Sequence, residues 1–444
     1  MLAILVYSFL LSLVPLPTLS QTSSYSVFTY PIPVSNSNSN LTFALNLPPN
    51  SGDIFFHLSG PSQYSWIAVG FGSEMKDSLV FIGYISADGK NVTLSPRIAS
   101  GNSEPSYTSS LNLTRLPGTS LSTTNNTYTI NAQCSNCRSW SGGSLNVSSH
   151  NQYFIYAVGP TAGEGGLVNL KSDDLGAGLQ RHFYYGRFTM DLVQATGSGG
   201  LPTNSQAFTA NSGSASVTPL KIDRDYALWM HTLLMISAFL LIFPLGYLML
   251  RFWDSVRYHW WVQSVGVCVV LVGAGTGVYE SRLFNKSKSF QSAHQITGLV
   301  ISSLLLLQWT LGYIHHKQYP QRHRRTWITY THLILGPSLL LTALINGFLG
   351  FKFADASNRT VIFYVIVVGV NMILVGGVMV CKLKRKKRER RLSGRYANLS
   401  PTGSRRSVDE LGLDETAYDS NVARELKGYE EDGRYVDNPV LRVS

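Results

Sequence analysis

Two textures of apolar and polar positions divide the chain. Between about 25 and 195, short aromatic and β-branched runs such as "YSWIAVGFG", "SLVFIGYIS" and "YFIYAVGP" are separated by clusters of Gly, Asn, Ser and Pro. Many short runs punctuated in this way predict strands of an antiparallel sandwich. A stretch rich in Gly and Ser follows, "ATGSGGLPTNSQAFTANSGSASVTP" at 195–219, with the composition of a flexible linker. Beyond it lie five long apolar runs, near 226–250, 259–279, 291–314, 326–351 and 361–381. Each has about 20 residues or more and almost no charge, enough to cross a hydrocarbon core of ~30 Å.

The ends of the chain set the topology. "MLAILVYSFLLSLVPLPTLS" is an apolar run of signal-peptide length that lacks the usual basic start, with cleavage expected near Ser20. Five N-x-[ST] sequons at Asn40, Asn91, Asn112, Asn125 and Asn146 fit an exported, glycosylated domain. Two more, at Asn285 and Asn358, fall close to the spans. With the first domain outside, the inner loops are "RFWDSVRY", "HHKQYPQRHRRT" and the tail that opens with "KLKRKKRERR". The last two are strongly basic, as inner loops are.

The net charge of +11 is therefore mainly a juxtamembrane feature, since eight of the ten residues at 382–391 are Lys or Arg. It does not describe a nucleic-acid surface. The polar tail from 392 has few aliphatic clusters and is expected to be disordered. Within it Ser393 and Ser407 follow arginine pairs, a weak kinase signal.

The fold class expected is an extracellular all-β, immunoglobulin-like sandwich followed by an all-α bundle of five transmembrane spans. The boundaries read from the sequence are a signal peptide at 1–20, the sandwich at 21–195, the linker at 196–222, the bundle at 223–383 and a disordered cytoplasmic tail at 384–444.

Histidine is costly inside a membrane and marks function by default. Four successive spans carry one near their start: His231, His259, His294 and His332. Spans one and three start outside, so His231 and His294 share an outer depth. Spans two and four start inside, so His259 and His332 share an inner depth. Helices one and three face each other diagonally in a four-helix bundle, as do two and four. Two diagonal imidazoles at one depth can fill both axial positions of a flat haem, which specifies two bis-histidine sites. Taken singly, each histidine is equally explained by a hydrogen bond to a neighbour or by a place at an interface. Zinc gathers its ligands tetrahedrally at one point, and these four divide between two depths.

The spans "MHTLLMISAFLLIFPLG", "HWWVQ", "AHQITGLVISSLLLLQWTLGYIHH" and "THLILGPSLLLTALINGFLG" resemble the four core helices of cytochrome b561, over about 226–351 with Gln263 and Gln308 in pattern. The resemblance implies two haem b groups, electron transfer across the membrane, a peripheral fifth helix and a cytosolic reductant such as ascorbate. Arg257, Lys317, Arg324 and Arg325 lie beside the inner pair. They are candidates to hold an anionic donor, or simply the charges that set topology.

The segments "WIAVGFGSEMKDSLVFIGYISADG", "QRHFYYGRFTMDLVQAT" and "NAQCSNCRSWSG" resemble the DOMON domain, in the form of the cytochrome domain of cellobiose dehydrogenase. That resemblance implies a third haem b, held by Met75 after the "GFGS" turn and by His182 before the aromatic-Gly-x-Phe strand. His57 and His150 are rival ligands outside the motif. Cys134 and Cys137 form a CxxC followed by Arg138. Covalent haem attachment needs a histidine there, so a structural disulfide is the favoured reading.

The expected path runs from a cytosolic small-molecule reductant through three haems to an extracellular acceptor such as ferric iron or a redox enzyme, with the linker letting the outer domain swing. The competing expectation is a membrane-anchored carbohydrate-binding or sensing module without haem in its DOMON domain. No GxGxxG follows a strand, no Walker loop occurs and no flavin domain fits. Any reductase activity would therefore use the haems directly.

Overall fold

The computed structural model describes residues 24–35, 37–161, 170–198, 200–202, 207–252, 255–322 and 326–397. The expected signal peptide at 1–20 lies outside them, as do Arg324, Arg325, Ser407 and the tail from 398.

The first half is a sandwich of two antiparallel sheets. In chain order the strands are β1 (Ser26–Val34), β2 (Ser37–Asn46), β3 (Ile54–Pro61), β4 (Trp66–Phe71), β5 (Leu79–Ile85), β6 (Val92–Ile98), β7 (Ser106–Tyr107) and β8 (Asn112–Arg115). They continue with β9 (Ser120–Ser122), β10 (Thr127–Ser135), β11 (Ser139–Trp140), β12 (Gly143–Ser144), β13 (Gln152–Val158), β14 (Tyr184–Met190), β15 (Ser214–Ser216) and β16 (Lys221–Ile222). One sheet runs β1-β2-β3-β10-β8 with β9 beside β10; the other runs β15-β14-β13-β4-β5-β6-β7 with β16 beside β14. An aromatic core fills the space between them, with Phe28, Phe43, Phe56, Phe71, Phe81, Phe154 and Phe188 all buried. Phe28 and Phe188 stack at 3.8 Å between ring centres.

β4 and β5 are buried along their whole length. Such unbroken apolar strands need cover on both faces. One face meets the aromatic core, and the other lies under a strap of residues 170–182. Side chains of the sheet tie this strap down. Thr93 Oγ1 donates to the Ser172 carbonyl at 2.7 Å and Ser95 Oγ to that of Leu175 at 2.5 Å. Arg97 Nη2 reaches the carbonyls of Leu175 at 3.1 Å and Ala177 at 2.6 Å. Cys134 and Cys137 form a disulfide at the end of β10, with both residues fully buried. The five sequon asparagines Asn40, Asn91, Asn112, Asn125 and Asn146 are all exposed.

The stretch expected to be a flexible linker is partly built into the sheet. β15 pairs with Phe188–Met190 and β16 with Tyr184–Tyr185. The open edge of β14 offered unpaired backbone groups, and this segment satisfies them. Only three residues then separate Ile222 from the first long helix.

Among the described residues, five helices are long and apolar enough to cross a membrane: α1 (Tyr226–Phe252), α2 (Val256–Ser281), α3 (Ala293–Gln318, continuing to Arg322), α4 (Trp327–Phe353) and α5 (Asn358–Arg391, continuing to Ala397). The first four share a buried layer to which each gives two residues: Ala238 and Phe243, Val267 and Val270, Ile301 and Leu305, Leu339 and Ala343. α1 widens to a π-turn at Ala238–Ile242, next to Pro244. Proline has no N–H for the carbonyl four residues back. Asn371 of α5 supplies the missing donor, Nδ2 to the Leu240 carbonyl at 2.6 Å. α5 does not stop at the expected tail boundary of 384; its run of Lys, Arg, Glu and Leu carries the helix on.

The loop after α2 meets the sandwich. Glu104 N–H donates to the Leu283 carbonyl at 2.7 Å, and its Oε2 accepts from Asn285 N–H at 2.8 Å. Asn285 Nδ2 donates to the Pro105 carbonyl at 3.2 Å, which places this sequon nitrogen inside a contact. Glu104 Oε1 also pairs with Arg97 at 3.2 Å, both side chains at most 2% exposed. Breaking one partner of such a pair costs about 3–5 kcal/mol. Glu104→Ala is therefore expected to lower the thermal midpoint of the sandwich and to open the 283–285 loop to protease. Unchanged melting and digestion would show that the pair holds nothing together.

Candidate functional site

The four span histidines meet in pairs at two levels of the bundle. At the end nearer the sandwich, the rings of His231 and His294 lie 6.0 Å apart and nearly perpendicular at 83°. At the far end, ligand nitrogens of His259 and His332 lie within 4.8 Å of each other.

All four use Nδ1 in the same way. His231 Nδ1 contacts the Gly273 carbonyl at 2.8 Å, and His259 Nδ1 the Gly246 carbonyl at 2.8 Å. His294 Nδ1 contacts the Asn346 carbonyl at 3.0 Å, and His332 Nδ1 the Gln308 carbonyl at 3.3 Å. The pattern is reciprocal: α1 and α2 serve each other, as do α3 and α4. A carbonyl only accepts, so each Nδ1 carries the proton and each Nε2 keeps its lone pair. Fourteen residues separate His259 from Gly273, His294 from Gln308 and His332 from Asn346. That puts the two levels about 21 Å apart along the helices.

Glycine one turn beyond the carbonyl makes room for three of the rings. A Cβ on Gly277 would come within 2.6 Å of His231 Nδ1. On Gly312 and Gly350 it would come within 2.8 Å of His332 Cε1 and His294 Cε1. Alanine at these places would displace the rings.

The far level holds a third imidazole that the sequence reading did not single out. His316 lies 5.8 Å from the ring of His259 and 6.1 Å from that of His332. Its Nε2 is buried without a hydrogen-bond partner among the described residues. Nitrogens of His259, His316 and His332 all fall within 4.8 Å of one another, a set that could hold a metal ion. Neighbouring His315 is turned to the Thr329 hydroxyl at 3.0 Å. Arg257 and Lys317 are exposed near this end.

In the sandwich, Met75 lies in the turn joining β4 and β5. Gly72 enters that turn at φ +151°, in the region that favours glycine. The turn is pinned by Asp77 N–H to the Ala99 carbonyl at 2.7 Å and by Trp140 Nε1 to the Asp77 carbonyl at 2.8 Å. Met75 packs on an apolar patch of Trp66, Ala68, Val80, Ile82, Tyr84 and Leu179, on the strap side of the sheet. His182 ends the strap two residues after Gln180, whose carbonyl accepts from Trp66 Nε1 at 3.2 Å. The face under Met75 includes the paired small residues Ala68 and Ala157, and the ring of His182 lies 4.9 Å from that of Tyr185, the cross-strand neighbour of Ala157. Burial holds His182 below the ordinary imidazole range, and nearby Asp223 partly offsets this.

The rival histidines are engaged elsewhere. His57 is 1% exposed and uses Nδ1 on Asn131 at 2.7 Å and Nε2 on Ser59 at 3.1 Å. His150 is exposed and pairs with Asp191 at 2.9 Å.

Residues 21–199 match the family model described as the cytochrome domain of cellobiose dehydrogenase, and residues 215–318 match the domain of unknown function DUF2427. No curated protein matches the chain. Among solved structures, the cytochrome b domain of pyranose dehydrogenase from Coprinopsis cinerea is 19% identical, covers 38% of this chain and 85% of that one, and gives a TM-score of 0.31. The cytochrome domain of Myriococcum thermophilum cellobiose dehydrogenase is 16% identical, covers 43% of this chain and 99% of that one, and gives a TM-score of 0.30. The chain thus carries an N-terminal domain of the cellobiose dehydrogenase cytochrome family, followed by a DUF2427 domain.

Proposed function

We propose that this chain is a membrane electron-transfer protein that takes electrons from a cytosolic small-molecule reductant and delivers them to an extracellular acceptor. Three b-type haems are its cofactors: one between His231 and His294, one between His259 and His332, and one between Met75 and His182. The observation that carries this reading is the common state of the four bundle histidines, each with Nδ1 tied to a carbonyl. The rings of His231 and His294 lie 6.0 Å apart, a separation that would leave room for a metal between them. The family match of residues 21–199 to a cytochrome domain supports the third group. The resemblance of the spans to cytochrome b561 supports the other two. Haem, when bound, supplies a one-electron iron centre.

The chain's own residues orient and order these centres. The carbonyls of Gly246, Gly273, Gln308 and Asn346 hold the imidazoles in one tautomer and make them better donors to a metal. The Met75 thioether favours reduced iron relative to a second imidazole, so the Met75/His182 site is the strongest acceptor of the three. The basic run 382–391 and the charges after α3 support a cytosolic side for these ends. A potential negative inside then adds about 2.3 kcal/mol per electron per 100 mV in the outward direction. At the cytosolic end Arg257 and Lys317 attract an anionic reductant.

A second reading is favoured by one observation, the third imidazole at the far level. Three imidazoles and a water suit a tetrahedral divalent ion. His316→Ala separates the two: the haem reading expects all b-type absorbance to remain, whereas the ion reading expects loss of bound metal and no haem signal from that level in either protein.

Haem assay and redox titration of purified full-length protein test the main reading. The expected content is three haems per chain. His231→Ala, His294→Ala or His332→Ala each removes one, and Met75→Leu shifts the highest-potential signal alone. A colourless protein from haem-replete cells would instead favour an anchored carbohydrate-binding module.

A further inference from the structure

His182 differs from the bundle histidines in the group beside its Nδ1. That nitrogen is buried. Its polar contact among the described residues is Asp223 Oδ2 at 3.2 Å, within ion-pair range but off the line of a well-formed hydrogen bond. The two side chains are 19% and 17% exposed, so water screens the contact only weakly. Backbone bonds hold the partners side by side. Asp223 N–H donates to the Phe183 carbonyl at 2.9 Å, and β16 pairs with Tyr184 and Tyr185 immediately after it. Asp223 lies beyond residue 199, where the cytochrome-domain match ends, and three residues before the first span begins.

We infer that Asp223 is a positioning residue for the sandwich site, supplied by the segment that leads into the membrane; this rests on the reading of His182 as a haem ligand. The negative charge of an ionised carboxylate beside Nδ1 favours the proton on that nitrogen, which leaves Nε2 to bind metal. An anionic acceptor makes the imidazole more basic than a carbonyl does and favours the oxidised metal. Arg181 Nε shares the same Oδ2 at 2.7 Å and draws charge from it. The exported domain therefore borrows the group that tunes its ligand from the membrane-proximal chain, and Arg181 sets how much of that group His182 receives.

The test is redox titration of purified full-length protein by absorbance, with electron paramagnetic resonance of the oxidised state. Asp223→Asn is expected to raise the midpoint of the Met75/His182 centre by a tenfold change in the oxidised-to-reduced ratio, about 59 mV for one electron. It changes the resonance of that centre and leaves the bundle centres alone. Asp225→Asn removes a charge from the same junction without touching His182, and is expected to shift the midpoint by less than a third as much. Equal shifts in the two variants would overturn the inference, because charge alone would then account for both. If Asp223→Asn does not accumulate, Arg181→Gln carries the test: it leaves the carboxylate to His182 and lowers the midpoint, and an unchanged or raised midpoint overturns the inference. Wild-type protein with no haem in the sandwich would overturn the ligand reading itself, a result distinct from either of these.

Discussion

An imidazole offers a metal its lone pair dependably only when something else holds its proton. In this bundle that need is met by backbone carbonyls on the neighbouring helix. A helix interior normally uses its carbonyls for itself, so a side-chain contact requires close approach of the two helices. The glycines beyond Gly273, Gln308 and Asn346 permit that approach. The reciprocity between α1 and α2, and between α3 and α4, then fixes both levels at once. Sliding one helix by a residue would break two contacts at opposite ends of the pair.

Between the two levels the buried layer of the first four helices is apolar, with two buried side chains from each. Lipid tails are as apolar as these side chains, so their burial drives little association in a membrane. Polar contacts and tight packing carry more of that work. The ring-to-carbonyl contacts near both ends, Trp309 on Ser264 at 2.8 Å and Asn371 on the Leu240 carbonyl fill this role. The same groups that orient the imidazoles thus also help to hold the helices in register.

The two levels were legible in the sequence because alternation of direction turns an early position in each span into a shared depth. No contact had to be foreseen. Met75 and His182 were singled out by resemblance alone, since nothing in the spacing of two residues so far apart relates one to the other. His316 was missed for a physical reason. The third apolar run stops near 314, but the helix continues to Arg322 and carries the two polar histidines into the far level. The Gly/Ser stretch misled because composition reports what a chain does alone. Here the open edge of β14 recruits it into two short strands. Asp223 was invisible for the same reason, since its importance comes from where β16 leaves it.

The brevity of the connection from Ile222 to Tyr226 has a consequence for kinetics. A domain on a long leash searches for its partner and reorients before each encounter, and that search can limit turnover. This sandwich is held like a turret, by strand pairing on one side and by Glu104 on the other. The sandwich keeps one bearing toward the bundle, and any partner that meets it has to do the travelling.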